Sequence, residues 1–138
     1  MLLVVDANIL FSALIKDSET AKLFLSNKLE LIAPEFLLKE FEKYKSVILS
    51  KTHRSEQEFS NILLIFKNRI SLISKSEIKP FLKQADSICP DPKDIQYLAT
   101  AIKFNCPVWS NDPHFQEQSV KEAIKVFKTH ELKRFLEG

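Results

Sequence analysis

Leu2-Leu3-Val4-Val5-Asp6-Ala7-Asn8-Ile9-Leu10 is the stretch whose reading decides the fold of this chain. Four apolar residues in a row, with no charge among them, read as a short strand buried on both faces, the pattern of a parallel sheet. The acidic residue that closes the run needs partners, because a carboxylate that leaves water without them is costly. A second stretch repeats the arrangement: Pro107-Val108-Trp109-Ser110-Asn111 is followed by Asp112. Ligands of open parallel sheets collect beyond the carboxyl ends of the strands. Asp6 and Asp112 are therefore candidates for one shared site.

Working outward, short apolar runs alternate with amphipathic stretches, which predicts an α/β architecture. Strands are expected over residues 2–6, 29–33, 70–73, 107–110 and 124–127, giving a central parallel sheet of four to five strands. Helices are expected over 8–16 and 19–26, with Ser18 as a cap for the second. Pro34 suits the first turn of a further helix, with Phe36, Leu37, Phe41 and Tyr44 on its apolar side. The stretch 56–67 carries Phe59, Ile62, Leu63 and Phe66 at helical spacing. A helix over 79–86 places Pro80 in its first turn, and Pro90 and Pro92 make 87–92 a loop. Residues 93–104 read as a helix packing through Ile95, Leu98, Ala99 and Ile102. Thr129 reads as the cap of a last helix that turns Leu132, Phe135 and Leu136 inward. No repeats, linkers or low-complexity stretches interrupt the pattern, so residues 1–138 read as a single domain.

Composition narrows the function classes. The 138 residues are 45% hydrophobic and 28% charged, which suits a folded chain rather than a disordered one. A formal charge of +2 neither demands nor excludes a nucleic-acid partner. No apolar run is long enough to span a membrane, and no signal peptide is read at the amino terminus. Cys89 and Cys106 form no CxxC pair, so a zinc site is not expected and two thiols in a reducing cytoplasm are. Gly138 is the single glycine, which excludes Gly-rich phosphate loops of the Walker or dinucleotide type. Turns must rely on other residues, and Asn27 and Asn105 are expected to take the left-handed conformation after helices.

Two more acidic residues, Glu40 and Asp94, stand at informative places. Asp94 falls in the first turn of the 93–104 helix, where the helix dipole favours a carboxylate. Glu40 shares a helix face with Leu37 and Tyr44, which points it toward the core side. Taken singly, Asp94 also reads as a helix-end charge, Glu40 as a solvated charge and Asp112 as a turn residue. Together the four carboxylates suit Mg²⁺ or Mn²⁺, hard cations that prefer carboxylate oxygens and water. Such ions serve phosphodiester hydrolysis by activating water and offsetting developing charge. Without metal, the cluster should hold at least one carboxyl above its ordinary pKa.

Four pieces of the chain carry a resemblance: Val4-Val5-Asp6-Ala7-Asn8-Ile9-Leu10, Pro34-Glu35-Phe36-Leu37-Leu38-Lys39-Glu40-Phe41, Asp94-Ile95-Gln96-Tyr97-Leu98-Ala99-Thr100-Ala101 and Val108-Trp109-Ser110-Asn111-Asp112-Pro113-His114-Phe115. In this order and spacing they resemble the PIN-domain family of ribonucleases, which includes VapC-type toxins and distant relatives of flap endonucleases. The resemblance implies a three-layer α/β/α fold and a cytoplasmic, Mg²⁺- or Mn²⁺-dependent endoribonuclease acting on single-stranded RNA. It further implies the toxin of a toxin–antitoxin pair, with an antitoxin protein as partner and a homodimeric assembly. Carried over residue by residue, Asp6, Glu40, Asp94 and Asp112 are the catalytic quartet. Asp6, Asp94 and Asp112 are then the metal ligands, and Glu40 orients the attacking water or a second ion. Asn8 and Ser110 take supporting polar positions, although a helix cap and a satisfied strand-end hydroxyl explain them equally well. Asp91 is an extra acidic candidate that also reads as a loop charge. The alternative is a catalytically inactive PIN-fold module that binds RNA or protein; a metal-dependent phosphatase ranks lower for want of histidine ligands.

Other features are less specific. His114 reads as a turn histidine, or as a contact to substrate phosphate. Lys43, Lys45, Lys51 and Arg54 make a basic stretch that reads as a solvated helix face or as a track for an RNA backbone. Trp109 reads as core, with base stacking as the rival. Ile9, Leu10, Phe11, Leu14, Leu23 and Phe24 read as core, with part of the cluster available to a dimer surface.

Overall fold

The run ahead of Asp6 is strand β1 (Leu2–Val5), in a computed structural model that describes residues 1–15, 19–89 and 91–138. It lies at the centre of a parallel sheet with β2 (Glu30–Pro34), β3 (Ile70–Ile73), β4 (Val108–Trp109) and β5 (Val126–Phe127), in the order β3-β2-β1-β4-β5. Leu3, Val4 and Val5 are fully buried, as a strand covered on both faces requires. The chain adds β2 and β3 on one side of β1, then crosses to add β4 and β5 on the other. That reversal opens a crevice between β1 and β4, where Val5 pairs with Trp109. Asp6 follows one strand of this pair, and Ser110 and Asp112 follow the other.

Parallel strands need crossover connections, and these carry the helices that cover the sheet. The links β1-to-β2 and β2-to-β3 carry α1 (Ala7–Ile15), α2 (Glu19–Phe24), α3 (Phe36–Thr52) and α4 (Glu56–Lys67). These pack on one another, and α9 (Thr129–Glu137) joins them through α2. The return to β4 and β5 carries α5 (Lys75–Ile78), α6 (Leu82–Ile88), α7 (Ile95–Phe104) and α8 (Gln118–Ala123). Of these, α7 lies against β1, β2 and β4. The result is the three-layer α/β/α arrangement.

Several expectations need correction. Pro34 ends β2 rather than starting a helix: its neighbour Glu35 donates its amide to Ile73 O, and α3 begins at Phe36. The helix expected over 79–86 is split. A capping box of Ser74 and Glu77 starts α5 early, a 3-10 turn over Lys79–Phe81 accommodates Pro80, and α6 then runs to Ile88. Ser87 and Ile88 are thus helical. Cys89 and Asp91 are held in extended backbone, as the residue before a proline usually is. Ser18, Lys16 and Pro90 lie outside the described residues.

The helix of 93–104 begins at Ile95, preceded by a 3-10 turn over Pro92–Asp94. Asn105 takes the left-handed conformation as expected, whereas the other such non-glycine among the described residues is His53, at the end of α3, and not Asn27. Thr129 is the first residue of α9 rather than its cap. Its hydroxyl accepts hydrogen bonds from Trp109 Nε1 at 3.1 Å and Asn111 Nδ2 at 2.9 Å. Trp109 is fully buried, which removes base stacking. Phe135 stays 57% exposed, its ring tilted against Phe127, so only Leu132 of the last helix is wholly inward. Ile9, Leu10, Leu14 and Phe24 are core.

Candidate functional site

Asp6, Asn8, Glu40, Asp91, Asp94, Asp112 and His114 line one pocket of about 260 Å³ beyond the carboxyl ends of β1 and β4. Four separate stretches of chain deliver them: the start of α1, the second turn of α3, the turn before α7 and the loop after β4.

Asp6 is held on both oxygens. Its Oδ1 accepts the amide of Ile9 at 3.0 Å, which caps α1. Its Oδ2 accepts the hydroxyl of Ser110, itself fully buried, and Ser110 Oγ in turn accepts the amide of Asp112 at 3.0 Å. Ser110 therefore ties the two strand-end carboxylates together. Burial pushes the Asp6 carboxyl up to about 7, against the opposing pull of Ser110 and Ile9, with the Asp112 and Asp94 charges adding to the rise.

Asp94 reaches a similar value by another route. It stands at the head of α7 but makes no side-chain cap bond. Its Oδ2 is buried and has no hydrogen-bond partner. Burial first, then the neighbouring Asp112 and Asp91 carboxylates, raise its pKa to about 7, with His114 opposing. A buried, unpartnered carboxylate oxygen among like charges is unfavourable unless a cation joins it. The donor set present, carboxylates from three different segments, fits a hard divalent ion.

Glu40 is half-buried on α3, and Tyr97 of α7 donates its hydroxyl to Oε1 at 2.5 Å. Burial raises its pKa, while Tyr97, Lys93 and Lys43 oppose the rise. The same burial and the facing Glu40 carboxylate hold the Tyr97 phenol well above its ordinary range, so it remains a donor. Tyr97 was not singled out in the sequence. Its position one turn beyond Asp94, on the face of α7 turned to the sheet, is the signal that could have found it.

Asn8 is exposed at the pocket rim, and among the described residues its side chain makes no hydrogen bond. The helix cap, one of the two readings of Asn8, comes instead from Asp6. Asp91 belongs to the cluster in space: its Oδ1 accepts the Lys93 amide at 2.9 Å and its Oδ2 lies 3.1 Å from His114 Nδ1. His114 is the largest surprise. Read as a turn residue or as a contact to substrate phosphate, it stands on a surface 3-10 turn and also among three carboxylates, its Nδ1 3.5 Å from both Asp94 Oδ2 and Asp112 Oδ1. The backbone explains this, because its amide donates to Asp112 Oδ1 at 2.9 Å and folds the ring back over the pocket. Arg54, grouped with the basic stretch, is occupied structurally: Nη1 donates to Leu14 O across α1.

The chain is similar in fold to a chain of VapBC2 from Rickettsia felis bound to a DNA fragment from its promoter. The TM-score is 0.67 at 14% identity, covering 93% of this chain and 98% of that one. It is similar also to FitAcB from Neisseria gonorrhoeae, with a TM-score of 0.58 at 18% identity over 94% and 99% of the two chains. No curated protein matches its sequence. A family model described as a PIN domain matches residues 4–134, nearly the whole chain, and carries all four expected acidic positions within its span. By that match the chain belongs to the PIN-domain family.

Proposed function

We propose that this protein is a metal-dependent endoribonuclease that hydrolyses single-stranded RNA. The observation that carries the reading is the meeting of Asp6, Glu40, Asp94 and Asp112 in one pocket, two of them held near pKa 7 and one with an oxygen that lacks a partner. Asp6, Asp94 and Asp112 would hold the ion, Mg²⁺ or Mn²⁺. When bound, such an ion lowers the pKa of water and offsets the charge that develops on the phosphate and the leaving oxygen.

The chain's own groups supply position. Tyr97 fixes the Glu40 carboxylate, which orients the water that attacks phosphorus. The P–O3′ bond breaks, leaving a 5′-phosphate on one fragment and a 3′-hydroxyl on the other. Ser110 keeps the Asp6 and Asp112 loops in register. Lys43 and Lys93 bring positive charge beside Glu40, on the side from which a phosphate chain would approach.

We place the protein as the toxin of a toxin–antitoxin pair, working in the cytoplasm as a homodimer with an antitoxin protein as partner. The fold likenesses to VapBC2 and FitAcB support that placement. Among the described residues no helix is long and apolar enough to cross a membrane.

The test is incubation of purified protein with pooled cellular RNA in Mn²⁺, in Mg²⁺ and in chelator, beside Asp94→Asn. Cleavage that needs metal and disappears in the variant is the expected result. Equal behaviour of wild type and variant would refute catalysis at this site and leave the inactive RNA- or protein-binding module as the reading.

A further inference from the structure

We propose that Asp91, Asp94 and His114 form a cation position with one nitrogen ligand, sharing Asp94 with the acidic quartet, and that this position makes the protein hold Mn²⁺ in preference to Mg²⁺. The inference rests on the metal-dependent reading above and adds a ligand type that four carboxylates do not have.

The geometry comes first. One ligand atom from each of the three residues lies within 4.8 Å of the other two. His114 Nδ1 is 3.1 Å from Asp91 Oδ2 and 3.5 Å from Asp94 Oδ2. The atoms are also free for the task. Asp91 commits Oδ1 to the Lys93 amide, which leaves Oδ2 facing the ring. The Asp94 oxygen on this side is buried and makes no hydrogen bond at all. The His114 backbone is fixed by its amide on Asp112 Oδ1, which carries the ring to the carboxylates.

Chemistry then separates the ions. Imidazole is a common ligand for first-row transition metals, whereas Mg²⁺ takes oxygen and keeps several waters. Mn²⁺ accepts both donor types and stands lowest among those metals in nitrogen affinity, so the expected preference is modest. A site of carboxylates alone gives the two ions the same ligands. Adding His114 Nδ1 gives Mn²⁺ a contact that Mg²⁺ does not exploit.

The decisive measurement is pulsed electron paramagnetic resonance on the full chain loaded with one equivalent of Mn²⁺. Modulation from a directly bound nitrogen is expected in wild type and absent in His114→Phe and His114→Asn. Both replacements fall on a side chain that is 49% exposed, so the fold should tolerate them. Calorimetric titration with MnCl₂ and MgCl₂ supplies the second readout. Either variant should weaken Mn²⁺ about tenfold and Mg²⁺ by less than about threefold. Mn²⁺ bound without nitrogen modulation, or equal weakening of the two ions, overturns the His114 position while leaving the carboxylate reading in place. Failure of wild type to bind either ion overturns both.

Discussion

Asp6 and Asp94 sit in the same pocket with the same elevated pKa of about 7, yet the regions around them are built in opposite ways. At the end of β1, both oxygens of Asp6 accept hydrogen bonds, from Ile9 and from Ser110. At the head of α7, Asp94 caps nothing and leaves Oδ2 buried without a partner. The first carboxylate is part of the fold and the second is tolerated by it. The difference teaches that a site can hold one fixed wall, set by the sheet, and one wall whose charge only a ligand completes.

The largest expected effect tests what the two walls share. Asp6→Asn and Asp94→Asn should each reduce metal-dependent RNA cleavage by at least about 100-fold, since losing a ligand should exceed the 10–100-fold effect typical of a ligand's hydrogen-bonding partner. Initial rates under saturating Mn²⁺ are the readout. Full activity in either variant would remove that residue from the catalytic set.

The walls should part in stability. Asp6→Ala strands the Ile9 amide and the Ser110 hydroxyl in the interior, at a cost of about 1–3 kcal/mol. Asp94→Ala strands nothing and removes an unpartnered charge, so in chelator it should be neutral or stabilising. Urea denaturation of the metal-free proteins measures both. Equal losses would mean that Asp94 has a structural partner and that the contrast is false.

The contrast sharpens with pH. Both carboxyls stand near 7 in the fold and near 3.8 when unfolded, so between those values the folded chain binds more protons. Their stabilising contribution is therefore present at low pH and lost as pH rises through about 7. Metal-free protein should melt at progressively lower temperature from pH 5 to pH 8, on the order of 1.4 kcal/mol per unit for each group at the steepest. The slope should flatten in Asp94→Asn. Saturating Mn²⁺ should reverse it, because the ion binds the deprotonated carboxylates.

The strand wall was legible in the sequence; of the loop wall, Asp94 and Asp91 were named as candidates, but the way His114 folds over them was not. A charge that closes an uncharged apolar run has little freedom: β1 and β4 are pinned by their neighbours, so Asp6 and Asp112 had to meet. Asp91 and His114 lie beside prolines, one capping and one within a short 3-10 turn whose direction follows from Asx-type bonds to the Lys93 and His114 amides. Nothing in hydrophobic periodicity reports such bonds. The same blindness explains Tyr97, since a tyrosine on a buried helix face looks like core until a carboxylate from another helix is found facing it. Short elements erred for a related reason. Val108–Trp109 and Val126–Phe127 pair over two residues each, and α8 was unread because six residues carry too little periodicity.

The smallest expected effect concerns the rim rather than the walls. Lys39, Lys43 and Lys93 line a hollow of about 190 Å³ with Phe36 and Tyr44, adjoining the acidic pocket through Glu40. Lys43 Nζ lies 5.4 Å from the Tyr44 ring, so charge and an aromatic face are presented together. The hollow shares Glu40, Tyr44 and Lys93 with the acidic pocket, so on the proposed function it is the next surface an RNA chain would meet. Each phosphate neutralised on single-stranded nucleic acid contributes about 0.7 to the salt slope of binding. In an Asp94→Asn background that leaves RNA intact, Lys43→Ala with Lys93→Ala should lower that slope by about 1.4 and weaken RNA binding several-fold. With Asp94 intact, the same two lysine changes should not lower Mn²⁺ affinity, because neither lysine is a ligand. An unchanged slope would send the RNA past another face of the pocket. A lowered Mn²⁺ affinity would mean that the two lysines hold the carboxylates in place rather than the phosphate, which would fold the rim back into the charged interior it borders.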